Sequence, residues 1–85
     1  MTASTTYSAL RNVLLKHGAP ASALPGLSEL ASLLSGRHGL SPSAATHWMT
    51  GPNERLEEQR PLDVWLEQGP GRVLDAVRAE ATRQL

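Results

Sequence analysis

The side chains able to carry chemistry in this sequence are three histidines, a run of carboxylates and a scatter of serines. His17, His38 and His47 lack the i, i+4 spacing by which two imidazoles on one helix face grip a metal ion. They read as helix-end or surface histidines. Glu54, Glu57, Glu58, Asp63 and Glu67 form an acidic run, but Arg55 and Arg60 interleave it, which describes a solvated, ion-paired face. A catalytic carboxylate pair needs burial and a cleft to drive two pKa values apart, and the run shows neither. No serine stands in a G-x-S-x-G context, and no glycine-rich loop is spaced to cradle a phosphate. Cysteine is absent, which excludes a disulfide framework and a thiolate metal site. The expectation is a protein with no catalytic residue, no metal site and no cofactor: a binding module rather than an enzyme.

Helical spacing dominates the elements that must position these residues; the alternation typical of strands is missing. The first helix is expected over about 5–17, with Tyr7, Leu10, Leu14 and His17 on one stripe, Val13 beside it and Gly18 as the stop. Residues 18–26, Gly-Ala-Pro-Ala-Ser-Ala-Leu-Pro-Gly, read as a loop. A second helix over about 27–35 buries Leu27, Leu30, Ala31 and Leu34 and ends at Gly36. Ser41-Pro42 supplies a hydroxyl cap and a first-turn proline for a third, which turns Ala45, Trp48 and Met49 inward and stops at Gly51-Pro52. Asn53 can cap a short turn containing Leu56. Pro61 opens a helix carrying Leu62, Trp65 and Leu66, closed by Gly69. Pro70 opens the last, about 70–84, with Val73, Leu74, Val77 and Ala81 in line. The sequence therefore predicts an all-α fold, a small bundle of five or six short helices.

At 85 residues the chain suits one compact unit, with an N-terminal helical part over 1–47 and a second part over 48–85. A core of this size leaves little surplus over the roughly 1.5 kcal/mol per residue that ordering costs, so a partner subunit, in a homo-oligomer or a hetero-oligomer, is a natural source of added stability. The start of the chain has no signal-peptide character, and no apolar run approaches the ~20 residues that span a bilayer. No membrane association and a cytoplasmic location are expected. The first part carries Arg11, Lys16 and Arg37 against Glu29, net +2; the second has five arginines against seven acids, net −2. That asymmetry permits a nucleic-acid contact by the first part and a basic partner for the second.

Residues 28–50 have the rhythm of a helix-turn-helix: a short helix with Glu-Leu-Ala, a glycine-bearing turn, then a Ser-capped helix ending in Trp48. Such a unit would aim Ser43, Ala44 and His47 at the major groove and put Arg37 near phosphate. Two features argue against it. The turn from Gly36 to Leu40 exceeds the usual three or four residues. The second helix also has no Arg, Lys, Asn or Gln to read base edges bidentately.

Residues 48–77 are densely punctuated, with three prolines, three glycines and two tryptophans. Trp48, Pro52-Asn53, Leu56, Pro61-Leu62-Asp63, Gly69 and Val73 stand in a register that resembles the C-terminal toxin-binding domain of the Xre/MbcA/ParS antitoxins. In that family a Trp-Leu-x-x-Pro-Asn segment leads to a leucine, a Pro-Leu-Asp helix start and a Gly-x-x-x-Val helix. The resemblance covers residues 48 to about 80. It implies an antitoxin-like protein paired with a cognate RES-domain toxin that consumes NAD, neutralised by covering its substrate cleft, and antitoxins of this kind often bind their own operator DNA. Family members usually have a longer N-terminal part with its own helix-turn-helix, so in this chain that part is reduced or missing. They also place a glycine pair where this chain has Glu57-Glu58, which predicts a longer helix in place of the turn.

Candidate partner contacts are then Trp48, Pro52, Asn53, Leu56, Pro61, Leu62 and Asp63. Arg72, Arg78, Arg83 and Leu85 join them from the final helix, which reads either as a docking element or as a solvated amphipathic helix. Trp48 and Trp65 suit interior anchors or interface hot spots. Arg37, Ser43 and His47 remain the candidate DNA contacts of the alternative reading, a small helix-turn-helix transcriptional regulator.

Overall fold

A computed structural model describes the backbone of residues 2–83 and the side chains of residues 4–79. Five α-helices carry the fold: α1 Thr2–Lys16, α2 Leu27–Ser32, α3 Pro42–Thr50, α4 Pro61–Gln68 and α5 Pro70–Arg83. A π-helical turn, Leu33–Arg37, continues α2, and 3₁₀ turns at Ala21–Ala23 and Glu54–Leu56 complete the set. Among the described residues there is no strand, only one isolated bridge between Asn53 and Gln59. The fold is a small all-α bundle. No described helix is long and apolar enough to cross a membrane.

Each boundary has a local cause. Helix α1 stops because Gly18 turns left-handed at φ +83°, which lets the Ala19 N–H reach the Leu14 carbonyl (3.0 Å) and the Gly18 N–H reach Leu15 (3.1 Å), the paired bonds of a Schellman cap. Helix α3 starts where the Ser41 hydroxyl accepts the Ala44 N–H at 3.1 Å, with Pro42 in the first turn. Helix α4 starts on Pro61, and a left-handed Gly69 separates it from α5.

Helix α1 packs against α2 and α3, α4 against α5 and α3, and α5 reaches back to α2. One core results, and both parts of the chain contribute: Leu10, Leu14, Leu27, Leu30 and Leu34 share it with Met49, Leu56, Leu62, Trp65, Val73 and Val77. Trp65 is its largest member. Its indole N–H donates to the Ala23 carbonyl at 2.6 Å, so the loop 18–26 is fastened to α4. Gly26 is needed at this junction: its φ is +92°, and a Cβ there would lie 3.2 Å from Pro70 Cβ. An ion pair from Arg78 to Glu29 joins α5 to α2 on the surface.

Three expectations are corrected. His17 is exposed, its Nδ1 bonded to the Val13 carbonyl at 2.9 Å, because α1 has already ended at Lys16. Thr6 takes the buried place on the stripe, one turn before Leu10. The helix of residue 27 runs past Gly36 to Arg37, because the wider π turn lets the His38 N–H reach Leu33 and the Leu40 N–H reach Leu34. The loop 18–26 holds a 3₁₀ turn. Ala81, placed in the apolar line of the last helix, lies outside the described side chains.

Candidate functional site

The segment from Trp48 to Asp63 is built around Asn53. Its side-chain Oδ1 accepts the Arg55 N–H at 2.9 Å, the cap that starts the 3₁₀ turn. The Asn53 carbonyl accepts the N–H groups of Leu56 and Glu58, both at 2.9 Å, while the Asn53 N–H donates to the Gln59 carbonyl at 3.1 Å. Residues 53–59 are thereby drawn into a closed loop. The Leu56 side chain, 1% exposed, roots that loop in the core.

Closing so short a loop requires reversal of the backbone, and this happens at Glu57 (φ 57°) and Glu58 (φ 67°). Both are left-handed, a conformation in which the Cβ of an L-residue crowds the following carbonyl. Glu57-Glu58 thus form a tight turn, and the expected longer helix is absent. Glu57 and Glu58 therefore carry the backbone that favours glycine. Both glutamates point out of the fold and are exposed. Arg72 reaches Glu57 Oε1 at 3.4 Å and Gln68 Oε1 at 3.1 Å, a loose contact with little stabilising effect in water.

Below the loop, Arg60 grips Asp63 with two parallel bonds, Nε to Oδ2 at 2.8 Å and Nη2 to Oδ1 at 2.9 Å. These bonds hold the Asp63 carboxyl below the usual carboxylate range; partial desolvation opposes them, and the charges of Arg60 and His17 add to them. The same bonds raise the Arg60 guanidinium. Asp63 also sits in the first turn of α4, where a negative charge meets the positive end of the helix dipole.

The candidate partner contacts divide into two groups. Pro52 is exposed, while Trp48, Asn53, Asp63 and Arg72 are half-buried. These can meet another molecule. Leu56, Pro61 and Leu62 are buried, which corrects their assignment to a contact surface: they shape the loop and the start of α4 from inside. Trp65 is interior, leaving Trp48 as the tryptophan within reach of solvent. Arg78 is exposed and bonded to Glu29 and Asp75. The Arg83 side chain and Leu85 lie outside the described residues. Glu29 as the partner of Arg78 was not readable from sequence, since the pair spans 49 positions.

Arg37, Ser43 and His47 are exposed, and Ala44 is half-buried. Because the π turn carries the preceding helix to Arg37, four residues, His38 to Ser41, separate it from α3. This corrects the turn length expected from the sequence and brings it within the helix-turn-helix range. The lack of base-reading side chains in α3 stands.

Elsewhere, an open cleft of about 470 Å³ between α1 and α2 is lined by Ser4, Tyr7, Ser8, Ser28 and Ser32. Among the described residues, the buried Thr6 Oγ1 and His38 Nε2 have no hydrogen-bond partner. Among the described residues no group of three His, Cys, Asp or Glu side chains could hold a metal ion. No protein-family model, curated protein or solved structure matches the chain.

Proposed function

We propose that this protein is an antitoxin-like binding module that acts in the cytoplasm by occupying the substrate cleft of a cognate RES-type, NAD-consuming toxin. One observation supports this reading above the others. Glu57 and Glu58 adopt a left-handed backbone at the two positions where the resembling family places glycines. The Asn53 cap before them and the Pro61 helix start after them keep the register of the resemblance. The binding surface of this reading comprises half-buried Trp48, exposed Pro52 and the acidic rim of Glu54, Glu57 and Glu58. A partly buried tryptophan beside polar neighbours has the composition of an interface hot spot.

The test is co-expression with the product of the adjacent reading frame, followed by an NAD-consumption assay. Stoichiometric co-purification and loss of NAD turnover at a one-to-one ratio are expected, and Trp48→Ala should weaken the complex by about tenfold or more, as truncating a hot spot does. Light scattering on the purified pair and on the free chain gives the assembly state. A neighbour without RES-like activity, together with no binding at micromolar concentration, overturns the proposal.

A second reading, a helix-turn-helix regulator, is favoured by the four-residue turn before α3 and by the exposure of Arg37, Ser43 and His47. It predicts duplex binding that falls steeply with salt, through release of counterions from phosphate, and that weakens on Arg37→Ala. Absence of duplex binding at low salt removes it. The two readings are compatible, because antitoxins of the resembling kind often bind their own operator DNA.

A further inference from the structure

We draw no further inference here: the strongest candidate, the open cleft between α1 and α2 lined by Ser4, Tyr7, Ser8, Ser28 and Ser32, is a stripe of small hydroxyl side chains, and nothing in the structure shows what covers it.

Discussion

Replacing Glu57 and Glu58 together by glycine is expected to stabilise the protein. Each residue is held left-handed, at φ 57° and 67°, and an L-residue in that region costs roughly 1–2 kcal/mol. Glycine adopts it freely, but its looser unfolded chain returns roughly 0.5–1 kcal/mol per site. The net gain is about 0.5–1 kcal/mol per position, or about 1–2 kcal/mol for the pair, by the same reasoning. The lost contact to Arg72 is negligible, since it spans 3.4 Å and Glu57 is 84% exposed. In a domain of this length such a gain raises Tm by roughly 4–16 °C. Thermal unfolding followed by circular dichroism measures it. The double alanine variant is the control, because it removes the charges and keeps both Cβ atoms; its Tm should stay near that of the parent. A glycine variant that melts lower, or an alanine variant that gains as much, refutes the argument from backbone strain.

Three further outcomes follow from the same geometry. Thr6→Val replaces a buried hydroxyl that has no partner with a group of the same shape, and should stabilise the fold by about 1 kcal/mol in urea titration; a loss would show that the hydroxyl is satisfied in solution. Trp65→Phe deprives the Ala23 carbonyl of its donor and leaves a void in the core, costing about 2–4 kcal/mol, whereas a near-neutral change would place the indole N–H in contact with water. The Asp63 carboxyl, held low by Arg60, should titrate in an NMR pH series below about 3.9, the ordinary aspartate value, and return toward it in Arg60→Ala. Because its folded pKa is depressed, Asp63 stabilises the fold above its unfolded pKa, and this stabilisation is lost as pH falls through the folded one. An Asp63 titration unchanged by Arg60→Ala would contradict the assigned bonds.

What could be read from sequence was what neighbours in the chain decide. Gly18, Ser41-Pro42, Gly51-Pro52, Pro61 and Gly69 each mark a boundary close to where the structure has one, because caps and stops are chemistry among four or five adjacent residues. The 27, 30, 31 and 34 pattern was readable for the same reason, and all four side chains are buried. Other features depend on contacts between distant residues. The π turn has no local signature in Leu-Leu-Ser-Gly-Arg, and glutamate would not be expected left-handed twice in succession. There the rooted Leu56 and the Asn53 hydrogen bonds override the local preference. The site was legible as a register but not as a surface: spacing places Leu56 and Leu62 in the right order, yet only packing shows that they face inward.

The bond from Trp65 to Ala23, and the core it belongs to, also governs when the protein can become a folded object. Leu10, Leu14 and Leu30 share their interior with Val73 and Val77, which are synthesised well after them. At about 5–20 residues per second, the stretch from Leu14 to Val77 takes roughly 3–13 s to synthesise. For that interval the leucines of α1 and α2 lack the helices that cover them, and the Ala23 carbonyl awaits its donor. A nascent chain cut short before α5 lacks Val73 and Val77, and the core they complete stays open on that side.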